Sequence, residues 1–231
     1  MISPVTVVGG AGRTGRLVAA DLLAAGAEVR VASRSATRTA TDLVAGGATA
    51  FDVDVRRDGP GLAAALTGAA AVVYTVEPGT ANSGSNRPET TMYQGVRHVL
   101  AHCSASTRFV LVSSIYVTRP EHQFNEWGRL LDWRLRGEDA VRASGLPYTV
   151  VRPGWLLDDR SGRAVRLEQG DQGDGQVTRV DVARACVQAL VCPSAIGVTF
   201  ELYNRSGPAP ADWEPLFATL TKDAGAAELA G

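Results

Sequence analysis

Residues 5–16 read VTVVGGAGRTGR. A short valine-rich run breaks into glycines and then into a helix-like stretch, and that succession decides the fold. Gly9, Gly12 and Gly15 form a GxxGxxG spacing directly after the strand and at the start of the helix. Glycines let the backbone turn tightly and approach a pyrophosphate, while a helix N-terminus offers unpaired N–H groups and partial positive charge. An anion-binding β-turn-α unit is therefore expected at the head of the chain.

The same rhythm continues outward from this loop. Apolar runs suited to strands lie at 5–8, 28–32, 48–51, 71–75, 108–112, 148–151 and 199–202, separated by Ala/Leu-rich amphipathic stretches at 14–25, 36–44, 61–66, 89–103, 126–143 and 181–191. A further short helix is expected after Ala211, with Asp212 as its cap. Strands alternating with helices predict an α/β fold, a doubly wound parallel sheet of Rossmann-like type. We expect a single domain over 1–221 with a short C-terminal substrate-side segment, followed by a loose Ala/Gly-rich tail over 222–231. Two polar stretches, 77–88 (EPGTANSGSNRP) and 158–176, follow the fourth and sixth strands. In such sheets the strand C-termini open onto the binding crevice, so these stretches read as substrate-facing loops or as plain surface.

The totals exclude several classes. With 231 residues, 45% hydrophobic and 20% charged residues and a net charge of −1, the chain has no bulk charge to draw nucleic acid or a membrane surface. No apolar run is long enough to span a bilayer and no leader pattern precedes the first strand, so a cytoplasmic protein is expected. Cys103, Cys186 and Cys192 lack CxxC spacing and read as free thiols. His98 and His102 stand four apart without a third ligand, so no metal site is expected. The basic charge is carried by arginine, and Lys222 is the only lysine.

The second strand ends in Ala32-Ser33-Arg34, where a site for nicotinamide adenine dinucleotide usually carries an acidic residue for the ribose hydroxyls. An Asp or Glu there would repel a 2′-phosphate. Arg34, with Ser33, Arg13 and Arg38, can instead pair with it, which predicts NADP rather than NAD. For Arg38 a solvated surface charge is an equal alternative. Asp54, just past the third strand, is placed to meet the adenine edge or to cap a turn.

The segments GGAGRTGR, VASRSATR, VDV, FVLVSS, EDAVRASGLPYTVVRPG and VTRVDVARA resemble, in order to about Asn204, the atypical short-chain dehydrogenase/reductases of the NmrA-like and biliverdin-reductase-B-like group. The resemblance implies that Gly9, Gly12, Arg13, Thr14 and Gly15 hold the pyrophosphate and 2′-phosphate region, and that Asp54 and Val55 flank the adenine. It implies further that Thr75, Val76 and Ser113 lie along the ribose and nicotinamide, with Pro153 and Gly154 supporting the nicotinamide end. The group includes quinone, flavin and carbonyl reductases as well as NADP-binding sensors without turnover.

Short-chain dehydrogenases typically carry a YxxxK pair on the helix after the fifth strand, the tyrosine as proton donor and the lysine lowering its pKa. Matching EDAVRASGL to the family puts Leu130 at the tyrosine position and Arg134 at the lysine position. The usual pair is therefore absent. Arg134 can hold the ribose hydroxyls, though it is a poor proton source, or it can equally face solvent. Replacement donors are Ser114 and Tyr116 in SSIYV, with His122 and Asp132 as weaker candidates; Tyr116 reads equally as a packed aromatic with its hydroxyl at the surface. Tyr93, Trp127, Trp133 and Trp155 could wall an aromatic substrate pocket or serve packing alone.

The expectation from sequence is an NADPH-dependent reductase of a bulky, aromatic or polycyclic carbonyl or quinone. A lysine-poor, Ala/Arg/Gly/Val-rich composition suggests a high-GC genome, and the resemblance to a group whose reductases occur there in secondary-metabolite pathways implies, by association, a polyketide-like substrate. An isomerase, epimerase or cyclase on the same fold and a non-catalytic NADP sensor are the alternatives.

Overall fold

The computed structural model describes residues 2–79, 83–159 and 162–225. The opening valines form β1 (Val5–Val8), which with β4 (Ala71–Tyr74) is buried along its whole length. Strands covered on both faces read as continuous apolar runs, which is why they were visible in the sequence. Around them lies an eight-stranded sheet in the order β3 (Thr49–Asp52), β2 (Val29–Ser33), β1, β4, β5 (Arg108–Val112), β6 (Tyr148–Pro153), β10 (Val198–Pro208) and β8 (Arg163–Glu168). Every pairing is parallel except that of β8 with β10. The chain winds outward from β1 to β3 and then returns to β4 on the other side of β1. That reversal opens a crevice over the strand C-termini.

Helices cover both faces. On one side α1 (Arg13–Ala24), α3 (Thr41–Ala45), α7 (Arg179–Val191) and α8 (Glu214–Phe217) bury Val18, Leu22, Leu43, Val182 and Phe217 against the sheet. On the other, α4 (Pro60–Leu66), α5 (Gly95–Leu100) and α6 (Leu130–Arg142) bury Leu62, Leu66, Val96, Val99 and Val141.

Several boundaries differ from expectation for local reasons. The helix expected at 36–44 is two short pieces, α2 (Ala36–Thr39) and α3, joined at Ala40. The one expected at 89–103 starts as a π-helix over Glu89–Gln94 and ends as α5 at Leu100. The helix expected from 126 starts at Leu130, because Gly128 and Arg129 both take positive φ and Asn125 Oδ1 accepts from the Leu131 and Asp132 amides. The polar stretch 158–176 is not all loop: it contains β8, whose Ala164 and Val165 are buried, and β9 (Gln176–Thr178) follows to pair with β7 (Trp155–Leu157). The other polar stretch, 77–88, includes positions 80–82, which lie outside the described residues.

The tail expected from 222 is pinned at its start. Lys222 Nζ donates to the carbonyls of Ser194 and Ile196, and the Asp223 carboxylate accepts from Tyr148 Oη at 2.9 Å and Thr199 Oγ1 at 2.6 Å. Positions 226–231 lie outside the described residues.

One buried ionic group links three elements. Arg152 of β6 donates to Glu138 of α6 through Nε at 3.1 Å and Nη2 at 2.7 Å, and to Glu201 of β10 through Nη1 at 3.1 Å. All three side chains are buried. Burial holds the Glu201 carboxyl above the ordinary carboxylate range despite its arginine partner.

Candidate functional site

A cleft of about 600 Å³ lies over the strand C-termini. Its floor is the glycine loop. Gly9 sits at φ +86, and a Cβ there would come 2.8 Å from Thr75 Oγ1. At Gly15 a Cβ would meet Gly9 O at 2.4 Å and Thr75 Oγ1 at 2.6 Å, so α1 packs against the loop only without a side chain at this position. Ser33 Oγ accepts from the Ala11 amide at 3.1 Å and ties the end of β2 to the loop. No side chain caps α1 and no acidic residue stands in its first turn, which leaves its N-terminal N–H groups for an anion.

Gly9, Gly12, Arg13, Thr14, Ser33, Arg34, Asp54, Val55, Thr75, Val76, Ser113, Ser114, Arg134, Pro153 and Gly154 all line this cleft. Gly15 lies beneath it. Arg38 is exposed on α2, outside the wall, where its charge acts on Asp52. The cleft also takes in Arg56, Glu77, Thr91, Leu156 and Arg179, to which sequence reasoning gave no role.

The electrostatics are those of a polyanion site. Five arginines, Arg13, Arg34, Arg56, Arg134 and Arg179, line the cleft together with the carboxylates of Asp54 and Glu77. Arg56 grips Asp54 through Nε at 2.7 Å and Nη2 at 2.5 Å, and these bonds hold the Asp54 carboxyl below the usual range. Both Asp54 oxygens are thus engaged before any adenine arrives. Arg134 Nη2 donates to Glu77 Oε1 at 2.6 Å, and Arg179 Nη1 donates to Asp158 Oδ1 at 2.6 Å. Arg34 alone of the five has no hydrogen bond or ion pair among the described residues.

Toward the ends of β5 and β6 the wall changes character. Thr91 Oγ1, Ser113 Oγ, Ser114 Oγ and Arg134 Nε are buried there without a hydrogen-bond partner among the described residues. Buried polar atoms are nearly always paired in native proteins, so four orphans on one cleft wall mark a place for a polar ligand. Together with the glycine cradle they fit the ribose and nicotinamide end of a dinucleotide, and the residues present therefore suit the cofactor.

Tyr116 does not line the cleft. It takes φ +72, a strained conformation for a bulky residue. Buried Asp171 holds the turn by accepting from the Tyr116 amide at 2.6 Å, the Thr118 amide at 2.9 Å and Thr118 Oγ1 at 2.9 Å. The ring stacks on His122 at 4.4 Å, and burial together with the Asp174 carboxylate at its hydroxyl pushes the phenol pKa up. His122 and Asp132 are likewise committed, His122 Nδ1 to the Phe124 amide and Asp132 to Asn125 and Arg129.

The four aromatic candidates divide into two groups. Tyr93 and Trp133 pair at 5.8 Å on the outer side of α5 and α6, beneath Arg97 and Arg136, and do not line the cleft. Trp127 and Trp155, each 46% exposed, flank Phe124 at 4.8 and 5.5 Å. With Tyr116 and His122 they form a five-ring shelf. It is fastened to the cleft through Gly154 and Leu156, the neighbours of Trp155 that line the wall.

The three thiols are free, and burial raises their pKa, to about 12 for Cys103 and Cys186 and about 11 for Cys192. Among the described residues no group of three or more His, Cys, Asp or Glu could hold a metal, and no helix is long and apolar enough to cross a membrane.

The sequence profile of NAD(P)H-binding proteins matches residues 9–193, from the glycine loop to just past α7. The chain belongs to this NAD(P)H-binding family. Sanguinarine reductase of Eschscholzia californica is 32% identical over 147 residues, which are 59% of this chain and 50% of that one. The NAD(P)H-binding chain thus spans about half the length of that relative. A putative NAD-dependent epimerase/dehydratase from Bacillus halodurans superposes with a TM-score of 0.81 at 24% identity, covering 95% of this chain and 100% of the other. The anaerobillin reductase ChuY of Escherichia coli O157:H7 does so with a TM-score of 0.73 at 23% identity, over 90% and 100%. At these identities the two structures speak for the fold, an NAD(P)H-binding Rossmann-like sheet.

Proposed function

We propose that the protein is an NADPH-dependent reductase of a bulky, polycyclic carbonyl or quinone. The observation that carries this reading is the set of four unpartnered polar atoms, Thr91 Oγ1, Ser113 Oγ, Ser114 Oγ and Arg134 Nε, on the cleft wall. The similarity to a reductase over more than half of the chain supports it. NADP rather than NAD is favoured by Arg34, a cation at the end of β2 that has no ion pair among the described residues.

NADPH, when bound, would supply the hydride. The glycine loop and the α1 N-terminus hold the diphosphate, Arg34 holds the 2′-phosphate, and Glu77 fixes Arg134 so that its Nε faces the ribose end. Ser113, Ser114 and Thr91 offer hydroxyls to an acceptor oxygen as negative charge develops there. The Trp127–Phe124–Trp155 shelf gives a planar acceptor an apolar seat beside the cleft. A quinone or extended conjugated acceptor yields a stabilised anion and draws its proton from a serine hydroxyl or from water. A Tyr–Lys pair is then dispensable.

The test is NADPH oxidation by a naphthoquinone, a phenanthrenequinone and a simple aromatic ketone. Turnover on the polycyclic quinones and little on the simple ketone is expected, and no oxidation with any of them defeats the reading. Tyr116→Phe is expected to lower quinone turnover by less than about threefold, against the ~10²–10⁴-fold scale of a lost general acid. A loss on that larger scale, with the melting temperature unchanged, would return the proton-donor role to Tyr116.

A further inference from the structure

Arg13 and Arg179 share one carboxylate at the diphosphate end of the cleft. Arg13 opens α1, Arg179 opens α7, and both line the cleft. Asp158, in the segment after β7, accepts from Arg179 Nη1 at 2.6 Å and from Arg13 Nη1 at 3.3 Å. The two pairs differ in setting. Arg13 and Asp158 are 72% and 66% exposed, and a pair so exposed contributes little to stability. Arg179 is only 9% exposed, and among the described residues Asp158 is its one hydrogen-bonding partner.

A cation packed away from water needs an anion, and Asp158 gives this one a single hydrogen bond. The remaining guanidinium donors have no protein acceptor among the described residues. The diphosphate bridge of a dinucleotide brings two charges against one, and more acceptor oxygens, in a shape that a guanidinium fork matches in two places. Asp158 is therefore a weaker substitute for the group this wall is built to hold.

We infer that Arg179 is a ligand of the cofactor's diphosphate and that Asp158 is its resident counter-ion, which competes with the cofactor for Arg179 and Arg13. The inference rests on membership of the NAD(P)H-binding family and not on reductase activity. Asp158 keeps the arginines paired between cofactor molecules, and it weakens the hold on the cofactor that arrives.

The test is titration calorimetry of the whole chain with NADP⁺ and, separately, with inorganic pyrophosphate. Arg179→Met is expected to weaken NADP⁺ binding about 10–100-fold and pyrophosphate binding comparably. Arg179→Lys, which keeps the charge and loses the fork, should fall between wild type and Arg179→Met. Asp158→Asn should tighten NADP⁺ binding about 3–10-fold, an effect that a merely structural carboxylate would not produce. Wild-type affinity in Arg179→Met overturns the inference. Unchanged or weaker NADP⁺ binding in Asp158→Asn does so as well, and that variant keeps the test decisive if Arg179→Met does not fold.

Discussion

Arg34→Asp is expected to shift the ratio of NADP⁺ to NAD⁺ affinity by about 10²–10³-fold in favour of NAD⁺. The reason is local. Arg34 lines the cleft at the end of β2, beside Ser33, whose hydroxyl oxygen accepts from the Ala11 amide. The other four cleft arginines are each held by a carboxylate, and among the described residues Arg34 alone of the five has no ion pair. An aspartate there withdraws the pairing with a 2′-phosphate, adds repulsion, and supplies an acceptor for the 2′-hydroxyl of NAD⁺. Calorimetry with both cofactors checks this. Equal affinities in the wild type, or an unchanged ratio in the variant, would move 2′-phosphate recognition elsewhere in the cleft.

Arg152→Met is expected to destabilise the fold by about 3–5 kcal/mol, because it leaves Glu201 buried without its arginine and Glu138 with Arg142 alone. In a chain of this size that corresponds to a melting temperature lower by roughly 10 °C. The loss should depend on pH. Burial already raises the Glu201 pKa, so the folded chain binds that proton more readily than the unfolded chain. Stability tied to such a proton is present in acid and disappears as pH rises through the folded value. Without Arg152 this window moves upward, so the deficit relative to wild type should be larger at about pH 7.5 than at about pH 5. Thermal unfolding at the two pH values measures it. A deficit below about 1 kcal/mol, or one that grows in acid, would contradict the account.

The sheet, its parallel order and the phosphate loop were legible because their signals are local. Valine runs buried on both faces and a glycine spacing between strand and helix need no knowledge of the rest of the chain. β8 was missed because, as an edge strand, it fully buries only the adjacent Ala164 and Val165, between exposed Arg163 and Arg166, within a polar stretch whose composition reads as loop. Arg56 was readable in principle, since a carboxylate two residues before an arginine in a turn is within its reach. Arg179 and Thr91 were not, because the cleft acquires them only when α7 and the π-helical turn dock against distant strands. The aromatic candidates separated for a similar reason: the left-handed Gly128 and Arg129 set the start of α6, which leaves Trp127 on the shelf and Trp133 on the far side. That Tyr116 lies off the cleft wall was not legible either, because its positive φ is held by Asp171 from 55 residues away.

Lys222 has a practical consequence. It carries the only side-chain amine in the chain, and it sits beside Ser194 and Ile196. Its neighbour Asp223 binds Tyr148 and Thr199, which stand where β6 and β10 begin. The cleft opens where those strands end, a strand length or about 17–20 Å away. An amine-reactive dye attached at Lys222 would therefore sit at the opposite pole from the bound nucleotide, and coupling to a sensor chip through the same atom would present every molecule with its cleft facing the solution. Partial burial lowers the Lys222 pKa, which raises the fraction of reactive free amine at mildly alkaline pH.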